Sequence, residues 1–365
     1  MKQTFIFVTI LAATACFTSC QKKTNVSPDN QALSPTVEMV KESPVAYKPD
    51  MAAINELIAS NEARLALLSE NSQRECVETA MVPDDFPTIQ EAIDAVCEGG
   101  NVLVKTGIYN EILTVYKPDL NIKAIGDVTL NGRFFLNSDA NGVKIQKFKI
   151  IIPDALFAIF ADRVEGGEFI QNSISGSGFE GDAGIVYWRS NGASIKNNQV
   201  SNVYWGILCA TYLDDGFTSN NNMILNNTVT GITGLTCVGL QFNSDYNVIN
   251  GNYVVENPIW NNAGIMLNSW PEGDNSCDHN IVKNNVVNEN GFRGIWLDDG
   301  GHYNTVGPNN TANANALTGI MLDMYSSNNH VFNNTALENL ECDIVDEGGT
   351  DNTYKNNTAE CTSGL

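Results

Sequence analysis

The residue types best suited to acid–base chemistry lie together in the last third of the chain: Arg293, Asp298, Asp299 and Asp323. Two carboxylates can share the work of a hydrolase, one as a protonated acid and one as a base or nucleophile. A lyase instead needs a base and a group that neutralises a uronate carboxylate, and Arg293 is the basic residue beside these acids. Carboxylate oxygens also bind Ca²⁺, so Asp298 and Asp323 are the predicted metal ligands.

Tryptophans accompany the acids in the same part of the chain. All five fall between Trp188 and Trp296. An indole ring provides a flat apolar face and one polar N–H, a combination that suits a sugar ring with carboxylates beside it. We therefore predict a glycan-binding surface that contains Trp188, Trp205, Trp270, Trp296 and Asn268.

Each of these residues also has an ordinary structural explanation. An Asp at a strand end most often accepts hydrogen bonds from its own turn. Trp296 could pack beneath a loop, and Arg293 could form only a salt bridge with Asp298. Both interpretations remain open at the level of sequence.

The elements that must position these residues are copies of one repeat, between about residues 195 and 358. Each copy combines an Asn pair with a Gly-Ile-x-Leu strand, and successive copies lie roughly 22 to 33 residues apart, the period of a solenoid. No helical pattern separates them, so neighbouring coils must pair as parallel strands. The strand copies begin at Gly206, Gly239, Gly264, Gly294 and Gly319, and Asn pairs begin at Asn197, Asn226, Asn284, Asn309, Asn333 and Asn356.

Strand alternation predicts which side chains share the outer face. The Ile and Leu of each copy point inward, so the x residue and the residue after Leu point outward. Arg293 precedes its strand and is assigned to the turn at the edge of this face, whereas the Asn pairs predict stacked amide ladders inside the solenoid. The predicted outer rows are Val186, Leu208, Gln241, Met266, Trp296, Met321 and Ile344, and Trp188, Ala210, Asn243, Asn268, Asp298, Asp323 and Asp346.

The first residues have the pattern of an export signal. Lys2 precedes a short apolar stretch, and Phe17-Thr18-Ser19-Cys20 resembles a bacterial lipobox, which implies lipidation at Cys20. A plain cleaved secretory signal is the alternative. The predicted organisation is a signal peptide over residues 1–20, a disordered tether over 21–50, an amphipathic helix over 51–75 and a solenoid domain over 76–365.

The entry to the solenoid resembles a known group. Thr88 and Glu91 form a capping-box pattern for a short helix, and Gly107-Ile108-Tyr109-Asn110-Glu111 follows. This pattern, together with the repeats, is similar to right-handed parallel β-helix proteins, a group that includes pectate lyases and pectin methylesterases. The repeat itself resembles that of periplasmic copper-processing β-helix proteins and surface carbohydrate enzymes. The resemblance implies an all-β, right-handed parallel β-helix with an N-terminal capping helix, and it specifies fold better than function.

The charge and the cysteine and histidine content of the chain limit the ligands and metals that it is expected to bind. The net charge of −22 with 20 basic residues argues against nucleic acid. It also disfavours an acidic polysaccharide unless a cation offsets the repulsion. Among the cysteines, Cys76 with Cys97 and Cys342 with Cys361 are the predicted disulfides of an oxidising compartment. With no Cys-x-x-Cys and three His in all, a zinc or copper site has little support.

Two hypotheses from different classes follow. The first is a lipid-anchored enzyme of the cell envelope, at the outer membrane or surface of a Gram-negative bacterium, that acts on polysaccharide as a lyase or hydrolase, with Ca²⁺ as a candidate cofactor. The second is a non-catalytic β-helix that binds a glycan or a partner through the same face. The polygalacturonase and pectin methylesterase motifs are absent, which favours the second, whereas the Trp and acidic residues favour the first.

Overall fold

The computed structural model describes residues 46–71, 75–154, 156–212, 215–260, 262–269 and 276–365. The predicted signal peptide with Cys20, most of the predicted tether, and Trp270 lie outside these residues. The described part contains two helices, α1 (Met51–Asn71) and α2 (Ile89–Ala95), and three parallel sheets. No helix in the described ranges is both long and apolar enough to cross a membrane.

Each coil of the chain contributes strands to the three sheets in turn, and every pairing in them is parallel. The 12-stranded sheet contains Val77–Val82, Val96–Val104, Asn121–Ala124, Lys144–Gln146, Glu168–Ile170, Ser194–Lys196, Met223–Leu225, Val248–Asn250, Ile281–Lys283, Thr305–Val306, His330–Phe332 and Thr353–Lys355. The 11-stranded sheet contains Ile112–Val115, Arg133–Leu136, Phe157–Asp162, Ala183–Trp188, Trp205–Ala210, Thr236–Gln241, Ala263–Asn268, Ile295–Asp298, Thr318–Leu322, Cys342–Asp346 and Thr362–Ser363. The eight-stranded sheet contains Gly107–Tyr109, Val128–Asn131, Lys149–Ile151, Ser173–Ser175, Gln199–Ser201, Thr228–Thr230, Tyr253–Asn257 and Val286–Asn290.

The core consists of aliphatic columns that run along the solenoid axis. In the 12-stranded sheet, Ile195, Ile224, Ile249 and Val282 occupy one register position on successive coils and are fully buried. Each coil can bury such a side chain only against its neighbours, so the stability of each coil depends on its contacts with the coils on either side. The all-β parallel β-helix predicted from the repeat is confirmed.

The predicted amide ladder runs through the turn between the 12-stranded and eight-stranded sheets. The second Asn of each pair is buried and donates its amide to the next along the axis, at 2.9–3.1 Å. The first Asn has positive φ, as at Asn197 (57°) and Asn284 (54°), a conformation that Asn tolerates better than most residues. The stacked residues are Asn172, Asn198, Asn227, Asn252, Asn285, Asn310, Asn334 and Asn357.

Two further Asn ladders were not predicted. One passes through Asn257, Asn290, Asn315 and Asn339, with amide-to-amide distances of 2.9–3.1 Å. In the other, the side-chain oxygens of Asn247, Asn280, Asn304 and Asn329 each accept a backbone N–H from the preceding coil. Except for Asn329, which follows Asn328, these Asn residues lack the pair pattern, so the repeat did not reveal the two ladders.

Helix α2 closes the N-terminal end of the core, as predicted. The Thr88 hydroxyl accepts the Glu91 N–H, and the Glu111 carboxylate accepts the Ile89 and Gln90 N–H groups at 2.9 and 3.0 Å. The last Glu of the Gly-x-Tyr-x-Glu motif therefore caps the helix. Both predicted disulfides, Cys76–Cys97 and Cys342–Cys361, are present.

The predicted outer rows contain register errors at two coils. Leu208 is level with Gly239 and Ala210 with Gln241, so Gln241, not Asn243, belongs to the row of Trp188 and Asn268. The error arose because Cys237 takes the place of the motif glycine in that coil.

At the C-terminal end, Ile344 and Asp346 were also assigned wrongly to the outer face. They are level with the core residues Ile320 and Leu322, and Val345 is level with Met321. Asp346 accepts the Gly348 and Gly349 N–H groups, so it is a turn residue.

The N-terminal segment lies on the outer face of the 11-stranded sheet. Tyr47 is buried, and Ile54 of α1 joins it in a cluster with Phe157, Trp188 and Trp205. The Tyr47 N–H donates to Gln241 Oε1 at 2.8 Å, and Gln241 Nε2 donates to the Tyr47 carbonyl at 3.1 Å. Residues 46–50, the end of the predicted tether, are therefore packed against the solenoid.

The ladder that contains Asn252, Asn285 and Asn310 should contribute measurably to the free energy of unfolding. Asn285→Ala removes a buried amide that donates to Asn310 and to the Ile249 carbonyl, and it leaves the Asn252 amide without its acceptor. We expect a loss of about 2–3 kcal/mol in the free energy of unfolding, measured by urea denaturation. Asn284→Gly, on the exposed and left-handed neighbour, should change it by about 0.5 kcal/mol or less. Equal effects of the two substitutions would contradict a dominant role of the buried ladder.

Candidate functional site

Three adjacent strands of the 11-stranded sheet bring the predicted acidic residues together. Asn268 is level with Asp298 on the next strand, and the Asp323 N–H donates to the Leu297 carbonyl at 3.0 Å. Because parallel strands lie about 4.8 Å apart, the row Asn268, Asp298, Asp323 forms a continuous line of oxygen-bearing side chains. Asp299 adopts a left-handed backbone (φ 44°) directly after this strand.

The three aspartates form one buried cluster. Carboxylate oxygens of Asp298, Asp299 and Asp323 lie within 4.8 Å of one another. Their exposed fractions are 1%, 7% and 0%. Like charges at such distances in a poorly hydrated environment repel strongly, so the cluster requires a proton or a cation to persist.

Asp298 shows this requirement most clearly. Burial raises its pKa well above the usual range of an aspartate, and the neighbouring Asp323 and Asp299 raise it further, whereas Arg293 lowers it. No N–H group in the described ranges donates a hydrogen bond to either oxygen of Asp298, and the side chain that interacts with it most strongly is the acidic Asp323. A buried carboxylate without donors is rare and indicates a place for a ligand.

Arg293 stands at the edge of the same face, as predicted, but its principal contact was not foreseen. Its guanidinium carbon lies 3.9 Å from the centre of the Trp296 ring and 4.4 Å from that of Phe292. Burial lowers its pKa, while Asp323 and Asp298 raise it. A guanidinium over an aromatic face gains a cation–π attraction, which holds Arg293 beside the acids.

The site therefore combines buried donors and acceptors that lack partners. Trp296 Nε1 and Arg293 Nε make no hydrogen bond, in addition to the two Asp298 oxygens, and all three residues are at least nine-tenths buried. Such groups cost about 1–3 kcal/mol each when left unsatisfied. A polar ligand that both accepts and donates hydrogen bonds would satisfy them.

Several neighbours of this site were not singled out from the sequence. Met266 and Met321 flank Trp296 on the adjacent strands, and Phe292 packs edge-on against the Trp296 ring. Trp260, 66% exposed, continues this aromatic chain outward through an edge contact with Phe292. Their spacing in sequence carries no motif, so only the coil register shows that they are neighbours.

Two other predicted tryptophans, Trp188 and Trp205, are not part of this cluster. Trp188 is fully buried and Trp205 is 7% exposed, because the Tyr47 ring lies edge-on to both. Trp188 was predicted to bind substrate, but its ring is buried beneath Tyr47, a contact that no sequence pattern indicates. Arg189, which neighbours Trp188, lies 3.6 Å from carboxylate oxygens of Asp162 and Asp215 in a second charged group.

The architecture is that of a parallel β-helix, and solved structures of this class match it. The A-module of mannuronan C-5 epimerase AlgE6 from Azotobacter vinelandii has 14% sequence identity over 80% of this chain and 96% of its own, with a TM-score of 0.50. The periplasmic alginate epimerase AlgG (14% identity, 73% and 70% covered, TM-score 0.41) and PfbA, a surface adhesin of Streptococcus pneumoniae (12%, 79% and 89%, 0.46), are also similar. At such identities the likeness concerns the fold alone.

Sequence comparison identifies the family. Residues 170–364, more than half of the chain, match the family described as periplasmic copper-binding protein (NosD). The chain belongs to this family. No curated protein matches it.

The described cluster does not fit copper well. Copper(I) prefers thiolate, thioether and imidazole ligands, whereas Asp298, Asp299 and Asp323 offer hard oxygen ligands of the kind that Ca²⁺ and Mg²⁺ select. The two thioethers nearby, Met266 and Met321, lie on opposite sides of Trp296, and Thr236 Oγ1 donates to the Met266 sulfur at 3.4 Å. We therefore derive no copper chemistry from this site.

The raised pKa of Asp298 predicts how stability depends on pH. Above the unfolded pKa of about 3.8 the folded chain retains a proton that the unfolded chain has lost, so its stability falls as pH rises towards the folded pKa. In chelator, Asp298→Asn should be more stable than the wild type by about 1–3 kcal/mol at neutral pH, and the difference should shrink towards about pH 5. Thermal denaturation across this range measures the difference.

The same thermal denaturation experiment, repeated with Ca²⁺ in place of chelator, compares the wild type, Asp298→Asn and a control variant. Ca²⁺ should raise the melting temperature of the wild type at neutral pH and leave Asp298→Asn almost unchanged. The exposed Asp351→Asn should retain both the wild-type pH profile and the Ca²⁺ response. An Asp298→Asn variant that is less stable than the wild type in chelator would contradict the prediction that the buried Asp298 charge destabilises the folded chain.

Proposed function

We propose that the chain is an exported β-helix protein that acts on polysaccharide, with Arg293, Trp296, Asp298 and Asp323 at its reactive centre. The observation that carries this proposal is the set of buried, unsatisfied donors and acceptors on Arg293, Trp296 and Asp298. A sugar chain offers hydroxyl and ring oxygens that accept from Trp296 and Arg293, and hydroxyl groups that donate to Asp298. Its C–H faces suit the neighbouring aromatic rings.

The geometry favours a lyase over a hydrolase. Glycosidase carboxyl pairs stand about 5–5.5 Å apart in retaining enzymes and about 6.5–9.5 Å in inverting enzymes. An oxygen of Asp298 and one of Asp323 lie within 4.8 Å of each other, which is closer than either glycosidase spacing. In a lyase, by contrast, acids gathered around one point would bind a cation, and that cation would compensate the charge of a uronate.

The aspartate cluster supports Ca²⁺ as the compensating ion, with Asp298, Asp299 and Asp323 as its ligands and Asn268 beside them. When bound, the ion would neutralise a uronate carboxylate and acidify the adjacent C–H bond. Arg293 is the candidate base, because it borders the cluster and burial lowers its pKa. Trp296 orients Arg293 through ring contact and is a positioning residue.

The alternative is a binding protein without catalysis. A flat row of exposed indole rings would favour it, but the Arg293 guanidinium covers the Trp296 ring and Tyr47 covers Trp188. Convergence of acids with Arg293 in a buried cluster is the arrangement expected of an enzyme. AlgE6, a mannuronan epimerase of the same fold, makes polyuronates the first substrates to test.

Turnover on a polysaccharide panel tests the enzyme directly. With Ca²⁺ we expect unsaturated products from a polyuronate, detected by ultraviolet absorbance, and their loss in chelator. Arg293→Lys keeps the charge but moves the base, so kcat should fall by about 10²–10⁴. Asp323→Asn should lower activity and weaken the Ca²⁺ dependence.

Arg163→Lys, a half-exposed arginine of an earlier coil, is the matched control and should keep full activity. New reducing ends without unsaturation would replace the lyase by a hydrolase. Retention of a glycan without any turnover, lost in Trp296→Phe, would leave only the binding function.

Location at the envelope through a lipid on Cys20 is part of the proposal. The periplasmic description of the family and the lipobox-like residues before Cys20 support it. Cys20→Ser should move the expressed protein from the membrane fraction to the soluble fraction, as shown by immunoblotting after ultracentrifugation. An unchanged distribution would contradict the lipid anchor.

A further inference from the structure

A cavity distinct from the aspartate cluster lies beneath the N-terminal segment. Its volume is about 380 Å³, at the lower end of the range of small-molecule sites. It opens between residues 46–54 and three consecutive coils of the 11-stranded sheet. The lining residues that concern us are Tyr47, Lys48, Phe157, Glu180, Tyr204 and Trp205.

Its apolar walls are aromatic rings in fixed orientations. Tyr47 and Tyr204 each meet the Trp205 ring edge-on, with ring centres 5.6 Å apart and interplanar angles of 76° and 70°. Phe157 is fully packed beneath them. Rings held at right angles present a face and an edge to the same space, and they require little ordering when a ligand binds.

The segment over the cavity is held in place. The reciprocal hydrogen bonds between Tyr47 and Gln241 are buried and fix the backbone beside the cavity. Asp50 Oδ1 accepts the Ala52 and Ala53 N–H groups at 3.0 Å, which uses this carboxylate to begin α1. The cavity is therefore part of the folded structure.

The charged residues that line the cavity carry both signs: Lys48 is positive, and Asp50 and Glu180 are negative. Lys48 and Glu180 are both exposed and line the opening, one as a donor and one as an acceptor. An acidic ligand would meet Glu180 and Asp50, and an organic cation would meet Lys48. A neutral ligand with hydroxyl groups can use the lysine and the carboxylates together.

We propose that this cavity binds a neutral sugar unit of a glycan. The aromatic faces suit the C–H face of a pyranose ring, and the volume suits roughly one or two sugar units. The choice of a glycan rests on the proposed function, but binding here does not require catalysis at Asp298. The Trp205 strand lies three strand steps from the Trp296 strand, about 14 Å along the axis, so a glycan that contains both neutral and uronate units can contact both sites.

Ligand-observed NMR and calorimetry on the full chain test this assignment. The probes are maltose, cellobiose and chitobiose, with a digalacturonate and choline as acidic and cationic comparisons. At least one neutral disaccharide should bind, and Tyr204→Ala should weaken it by about tenfold or more. Glu180→Ala should weaken it without changing the melting temperature, since Glu180 is exposed.

Two controls separate this site from the others. Tyr246→Ala removes an exposed ring that stacks on His279 in a different turn and should leave affinity unchanged. Asp298→Asn should also bind the neutral sugar normally, so loss of catalysis and loss of this site are distinguishable. Absence of neutral-sugar binding, binding only of choline or digalacturonate, or equal affinity in Tyr204→Ala would overturn the assignment.

Discussion

The structure depends on amide side chains that are buried in stacks along the solenoid axis. An unpaired amide in an apolar interior is costly, but here each Asn donates to the Asn of the next coil, and its nitrogen also reaches a backbone carbonyl. The ladders require every coil to turn at the same place. They therefore hold the strands in register and allow residues far apart in sequence, such as Asn268, Asp298 and Asp323, to meet in one row.

Buried charge on the outer face contrasts with the hydrogen-bonded amides of the ladder through Asn252, Asn285 and Asn310. The Asp298 oxygens and Arg293 Nε lack hydrogen-bond partners although these side chains are almost completely enclosed. A solenoid with a regular and stable core can accommodate such local destabilisation, because each coil contributes only part of the total stability. Strain of this kind commonly marks a functional site rather than a structural one.

The repeat predicted the fold and the capping-box residues predicted the helix, since period, turn residues and capping pattern are local properties of sequence. The two disulfides were predicted separately, from the cysteines of an exported chain. The repeat also placed Asp298 and Asp323 in one row. The packing of Tyr47 on Trp188 could not be predicted, because it joins residues 141 positions apart without any repeating pattern. The register of Gln241 was missed for a related reason: Cys237 replaces the motif glycine, and strand pairing alone reveals the shift.

Each coil forms the same kinds of hydrogen bond with the next. Equivalent residues of successive coils are therefore separated by one strand spacing, about 4.8 Å. Insertion or deletion of a whole coil would preserve every ladder, and coils of 25 and 33 residues already stack in one ladder, at Asn227, Asn252 and Asn285. The distance between the aromatic cavity at Trp205 and the aspartates beside Trp296 can thus evolve only in whole steps. In relatives with a different number of coils between these two positions, the distance between them would differ by multiples of the strand spacing.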